Sequence, residues 1–238
     1  MKVLALQGSP KKNSNTAHLL DAFLEGMDEC APQDVEIIHL IEKDVSPCKG
    51  CLFCWRSNEL RCVQKDDAID IIRKILEAEA IIWNFPLYFY GMPSHMKALL
   101  DRTICLEKLD MFKNEDGTIR HGAKVGICAK QIALVGSGFP APDLAIFEPL
   151  EQQLRYGIAR NITFVGIPET PLFEPMTSKE GYTEYTEPLL QKLTAAGAEF
   201  ARDGSLSHET LESLKIPMMP MDDYLTKVNT SASIIVKP

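Results

Sequence analysis

Val3-Leu4-Ala5-Leu6-Gln7, followed by Gly8-Ser9-Pro10-Lys11-Lys12-Asn13-Ser14-Asn15-Thr16, decides how the chain is read. The continuous apolar run suits a strand buried on both faces of a parallel sheet. The polar stretch behind it is a loop. From Thr16 to about residue 29, Leu19, Leu20, Phe23, Leu24 and Met27 then recur at helical spacing. A strand that runs through such a loop into a helix places the loop at the C-terminal end of the sheet. Ligands bind there, and the helix N-terminus offers an anion unpaired N–H groups and a positive dipole end. The loop carries hydroxyls at Ser9, Ser14 and Thr16, amides at Asn13 and Asn15, and cations at Lys11 and Lys12, with no acid before Asp21. This composition makes a phosphate cup. No Gly-Lys-Ser/Thr closes it as in a P-loop, and the solitary Gly8 is not a dinucleotide fingerprint. The same small polar residues also suit a plain strand-to-helix turn with one of them as N-cap.

The alternation continues outward. Strands are expected at residues 35–40, 80–84, 132–135 and 162–165. Helices are expected after Asp66 or Asp67 (Ile69, Ile72, Ile75 and Leu76 on one face), over 94–105, over 143–156 and over 188–200. Strands that alternate with helices imply right-handed crossovers and an α/β domain wound on both faces of a parallel sheet. Residues 1–203 form this domain. It is interrupted by a cysteine-rich loop at 47–63 and by a polar, turn-rich excursion at 106–124. Residues 204–238 change character: two prolines stand among the apolar residues of Ile216-Pro217-Met218-Met219-Pro220-Met221. This extension reads either as a tail on its own domain or as an arm on a second subunit.

Composition narrows the function classes. Hydrophobic residues at 45% and charged residues at 24% are ordinary globular values, which exclude a wholly disordered or collagen-like chain. A net charge of −8 disfavours sequence-independent binding to nucleic acid or to an anionic membrane surface. No apolar run approaches the ~18 residues of a membrane span, and the first residues do not read as a signal peptide. A cytoplasmic protein is therefore expected, in which seven cysteines are not a disulfide framework.

The first loop, Gly8-Ser9-Pro10-Lys11 with Asn13-Ser14-Asn15-Thr16, resembles the phosphate loop of the flavodoxin-like NAD(P)H-dependent FMN reductases. A second stretch, Pro86-Leu87-Tyr88-Phe89-Tyr90-Gly91-Met92-Pro93 followed by Lys97-Ala98-Leu99-Leu100-Asp101-Arg102, resembles the turn that follows the third strand in that family. The resemblance implies a flavodoxin-like, five-stranded parallel sheet of order 2-1-3-4-5. It implies FMN with its phosphate on Ser9, Lys11, Asn13, Ser14, Asn15 and Thr16. The isoalloxazine ring would lie on Pro86, Leu87, Tyr88, Phe89, Tyr90 and Gly91, with Ser137 and Gly138 behind the fourth strand. NAD(P)H is implied as cosubstrate, and a homodimer or homotetramer as the assembly. The residues themselves agree in part: a flavin needs flat stacking surface and backbone donors near its reactive edge, and Tyr88, Phe89, Tyr90 and Gly91 supply these types. Aromatics that merely cap the sheet edge are the plainer reading. Gly136-Ser137-Gly138 with Ala141 spells Gly-x-Gly-x-x-Ala. Pro140 and Pro142 crowd that turn, however, and it does not follow the first strand.

Cys48-Lys49-Gly50-Cys51-Leu52-Phe53-Cys54 with Cys62 is C-x₂-C-x₂-C-x₇-C. Three thiolates at this spacing wrap a compact site and Cys62 closes it. The set suits a [4Fe–4S] cluster or a tetrahedral zinc, and free or dithiol-cycling cysteines remain open. The segment resembles the compact cysteine motif of the iron–sulfur flavoproteins, a branch of the same family. Cys30, Cys105 and Cys128 are expected to be buried apolar residues. His18 reads as a surface or capping residue, His95 as a neighbour of the ring, and Trp55 as a shield or loop filler. Asp101-Arg102 reads as a pairing site within the chain or across an interface. No side chain is expected as catalytic acid or base, since hydride transfer to a flavin needs alignment more than a proton donor. The function implied is an FMN-dependent oxidoreductase. It would move electrons from NAD(P)H or a protein donor to a quinone, flavin, aromatic or protein acceptor. The alternatives are a non-enzymatic iron–sulfur/flavin electron carrier and a zinc-stabilised α/β binding module.

Overall fold

The computed structural model describes residues 1–115, 117–137, 144–157, 162–168, 183–214, 220, 222–226 and 229–230. β1 (Lys2–Gln7) leads into α1 (Asn15–Cys30), which Ser14 caps by accepting the Ala17 N–H on its hydroxyl. β2 (Asp34–His39), α2 (Ala68–Glu77), β3 (Ala80–Pro86) and α3 (Ser94–Arg102) follow. An antiparallel hairpin of β4 (Glu107–Lys113) and β5 (Ile119–Ala123) comes next. The chain continues through β6 (Lys130–Ser137), α4 (Glu148–Gly157), β7 (Ile162–Pro168), α5 (Thr183–Asp203) and α6 (His208–Ser213).

The main sheet is parallel, with order β2-β1-β3-β6-β7. Alternating side chains of its central strands feed two cores. On one face Val3, Ala5, Ala80, Ile82, Ile132 and Leu134 meet Leu19, Phe23 and Met27 of α1 and Leu193 and Phe200 of α5. On the other, Leu4, Leu6, Ile81, Trp83, Phe85, Ala133 and Val135 meet Ile72 and Ile75 of α2, Met96 and Leu99 of α3, and Leu150 and Leu154 of α4. Continuous apolar runs in β1 and β3 have this cause: both faces are covered. No helix among the described residues is long and apolar enough to cross a membrane.

Several expectations need correction. The helix expected over 94–105 ends as an α-helix at Arg102 and tightens into a 3-10 turn, Thr103–Leu106. The helix expected from Asp143 is α-helical only from Glu148, after a 3-10 turn at Leu144–Ile146. The excursion holds the β4–β5 hairpin. Its Leu109, Met111, Phe112 and Ile119 are exposed, so no alternation of buried and polar positions announced it. Cys30 and Cys128 are exposed rather than buried: one ends α1 and the other lies in the loop before β6, where neither faces a core. Beyond α5, Leu206 and Leu214 pack into the core beneath α1 and α5. Most of the Met-Pro segment, and Gly138, lie outside the described residues.

Candidate functional site

The cup after β1 is held from below. Gly8 N–H donates to the main-chain Asn84 O at 2.7 Å, and Asn84 Nδ2 donates to Thr16 O at 3.0 Å, so one buried residue near the end of β3 ties both ends of the loop, one through its backbone and one through its side chain. His95 Nε2 donates to Gly8 O at 2.8 Å; the His95 ring therefore supports the first loop. A Cβ on Gly8 would stand 2.7 Å from Met96 Cε and 2.8 Å from Phe85 Cβ, so no side chain fits at residue 8. Ser9 is buried, its N–H on Gln7 Oε1 and its hydroxyl accepting the Lys11 N–H. Ser14 Oγ accepts the Ala17 N–H at 3.2 Å, a bond that does not use its O–H, while Thr16 is buried and Asn15 half-buried. Lys11 and Asn13 are exposed at the rim. Lys12 pairs with Glu42 at 2.5 Å, which leaves Lys11 as the cation of the cup without an acidic partner in a described ion pair. The first turn of α1 holds no acid. Asn84 Oδ1 is buried with no hydrogen-bond partner beneath the loop.

The second loop stands beside it. Leu87 N–H reaches Gly136 O at 2.7 Å, fastening the loop to the end of β6. Tyr88 and Gly91 exchange backbone hydrogen bonds at 2.9 and 3.0 Å around Phe89 and Tyr90. Those two central residues have φ of 47° and 62°, the left-handed region that L side chains avoid. The turn pushes three aromatic rings into solvent, and Phe89 is 97% exposed. Gly91 is half-buried and Pro86 pairs with Gly136. Ser137, at the end of β6, is buried.

The third part is a pocket on the α2–α3 side of the sheet. Cys48, Cys51, Cys54 and Cys62 all line it, together with Arg102 and a fifth thiol, Cys105. The N–H groups of Gly50 and Gln64 point at Cys48 Sγ (3.5 Å) and Cys62 Sγ (3.4 Å). Arg102 Nη1 and Nη2 donate to the two carboxylate oxygens of Asp66 at 2.6 and 2.8 Å, and Nη1 also donates to Ser46 O at 2.9 Å. Lys124 Nζ donates to Cys54 O. Trp55 donates to Ile104 O at 3.0 Å and packs at a tilt of 47° against His121, ring centroids 4.8 Å apart, so it joins the cysteine loop to the hairpin. Burial pushes the Cys54 thiol up, against the pull of Lys124. Burial likewise pushes Cys105 up to about 12. Four sulfurs and a guanidinium in one pocket fit a thiolate-bound metal group by their chemistry. Among the described residues, though, no three metal-binding side chains stand close enough to hold one ion.

Sequence reasoning did not place Asn84, Asp66 or Cys105 at the site; it gave Asp66 only as a candidate helix cap and Cys105 only as a buried apolar residue, and Cys105 is buried. Asn84 had a signal, a lone amide inside Ala80-Ile81-Ile82-Trp83-Asn84-Phe85. Asp66 and Cys105 had none, because only the tertiary fold brings them to Arg102 and to the four cysteines. Asp101 and Arg102 both pair within the chain, with Lys97 and Asp66.

Comparison with known proteins follows the same geometry. The chain is 39% identical over 103 residues to an iron-sulfur flavoprotein of Archaeoglobus fulgidus, covering 43% of this chain and 49% of that protein. It is 33% identical over 118 residues to an iron-sulfur flavoprotein of Methanosarcina thermophila, covering 49% of this chain and 60% of that one. The chain thus spans about half the length of the curated relatives it matches. Among solved structures, an NAD(P)H:quinone oxidoreductase from Methanothermobacter marburgensis aligns at TM-score 0.59 and 17% identity, over 84% of this chain and 96% of that one. An FMN-dependent NADH-azoreductase from Bacillus anthracis, in complex with FMN, aligns at 0.56 and 18%, over 84% and 99%. At these identities the structures are alike in fold. The model of the NADPH-dependent FMN reductase family matches residues 1–128, more than half of the sequence, and the chain belongs to that family.

Proposed function

We propose that this chain is an FMN-dependent oxidoreductase that takes electrons from NAD(P)H or a protein donor and passes them to a quinone, flavin, aromatic or protein acceptor. We also propose that its four clustered cysteines hold a [4Fe–4S] cluster. The observation that carries the reading is an adjacency. The anion cup of α1 and the exposed aromatic turn share one end of the sheet. The nine-residue α3 joins that end to the cysteine pocket, a length of roughly 13 Å at 1.5 Å per residue.

FMN, when bound, supplies the two-electron hydride chemistry and the one-electron steps. The chain's own residues bind, orient and exclude water. The N-terminus of α1 and the hydroxyls of Ser9, Ser14 and Thr16 hold the phosphate, with Lys11 at the rim and Asn13 and Asn15 flanking. Pro86, Leu87, Tyr88, Phe89 and Tyr90 offer the ring a stacking surface, and the half-buried Gly91 admits close backbone approach. Ser137 and Gly138 would meet its polar edge. Cys48, Cys51, Cys54 and Cys62 would ligate the cluster, which supplies single-electron transfer. Rings as exposed as Phe89 suit a site completed by a second subunit, so a homodimer or homotetramer is expected. The cysteine usage fits a reducing, cytoplasmic compartment.

Anaerobic purification, an absorption spectrum, and iron and acid-labile sulfide assays test the proposal. Flavin bands with iron and sulfide near about four per chain are expected. Cys51→Ala should abolish the iron and leave the flavin. Zinc on a colourless protein would favour a binding module. Flavin and iron without steady-state NAD(P)H oxidation would favour an electron carrier.

A further inference from the structure

We propose that Arg102 is the counter-ion of the cysteine pocket and sets the reduction potential of the group held there; this rests on the reading that the four cysteines bind a redox cluster. Arg102 closes α3 with its side chain 2% exposed, and its partner Asp66 is 4% exposed. The Asp66 carboxylate takes both arms of the guanidinium and also accepts the N–H groups of Ser46 (3.1 Å) and Ala68 (3.3 Å). Its acceptor capacity is engaged by this frame, and Asp66 does not line the pocket. Arg102 does line it, beside all four cysteines, and its charge interacts with Cys62. The pair is thus a fixed dipole with its positive end toward the sulfurs.

A buried ion pair by itself adds little to stability, because desolvation offsets the attraction. The direction in which this one points is what matters. Each reduction step moves one electron from the flavin or a protein donor onto the bound group, makes no bond and takes up no proton. The charge of the group therefore falls by one. A fixed, buried cation beside the group favours that change and raises the potential. Of the other cations near the cysteines, Lys49 lines the pocket but is exposed, and Lys124 is half-buried and bonded to the Cys54 carbonyl, so solvent and salt screen both more.

The test uses the anaerobic holoprotein in spectroelectrochemical titration. Removing Arg102 alone would strand a buried carboxylate, so the decisive variant is the double change Arg102→Met with Asp66→Asn, read beside Arg102→Lys. At the wild-type midpoint the reduced-to-oxidised ratio of the cluster should fall about tenfold in the double variant, a shift of about 59 mV for one electron. Arg102→Lys should fall between. The shift should persist at high salt, whereas that of Lys124→Met should fade. A double variant that keeps its iron and sulfide at the wild-type midpoint overturns the proposal. So does one that folds with flavin but holds no iron, since Arg102 would then be only a brace. Wild-type protein with flavin and neither iron nor sulfide sinks the cluster reading itself, before any variant is made.

Discussion

Phe89 and Tyr90 hold adjacent left-handed backbones, a conformation that costs an L residue about 1–2 kcal/mol and that turns of this kind normally fill with Asn and Gly. Among the described residues both rings are exposed and the aromatic contact each makes is with the other, centroids 5.9 Å apart, which is little to set against that cost. The strain is explained if the turn is shaped for a ligand. Phe89→Gly should therefore raise stability by about 1 kcal/mol in a urea or thermal unfolding series, while FMN titration shows weaker uptake. A variant that loses stability would mean the turn is not strained. From sequence, the aromatic run was legible as stacking surface because residue type alone states it. The left-handed geometry was not, because a backbone angle at a non-glycine residue is set by the hydrogen bonds that close the turn.

At the scale of elements, α1 and α5 cross so closely that backbone meets backbone. A Cβ on Gly26 would lie 1.7 Å from Thr194 O, and one on Gly197 would lie 1.9 Å from Phe23 O. Both obstacles are main chain and cannot swing aside. Gly197→Ala should force the helices apart and lower stability by about 2 kcal/mol, in the range of overpacked cores, read as a drop in the urea midpoint with unchanged slope. The alternation of strands and helices was legible because continuous apolar runs and an apolar period of 3.6 are local properties. The crossing glycines, the β4–β5 hairpin and the gathering of Cys105 with the four-cysteine loop were not, since each depends on a partner distant in sequence.

Across the whole molecule, Asp66 and Arg102 tie the segment after β2, the entry to α2 and the end of α3. Burial alone would push the Asp66 carboxyl up. The bonds from Arg102 and from the Ser46 and Ala68 N–H groups outweigh it and hold the carboxyl below its ordinary range. A depressed carboxylate stabilises the fold at any pH above its unfolded value, near 3.8, and the contribution drains away as pH falls through the folded value. Unfolding free energy measured from pH 7 downward should hold until about pH 4 and then decline. Asp66→Asn should lower the neutral plateau by about 3 kcal/mol, because it strands the guanidinium, and should shallow the acid decline. An unchanged acid limb would assign acid sensitivity to other carboxylates.

The first turn of α3 carries His95 and Met96 under Gly8, and its last residue is Arg102. Whatever tilts or slides this short rod moves the floor of one chamber and the wall of the other together. The two chambers are therefore not interchangeable modules. Transplanting the cysteine loop alone into a cousin with a different residue at the end of that rod would carry over the ligands and leave their foundation behind.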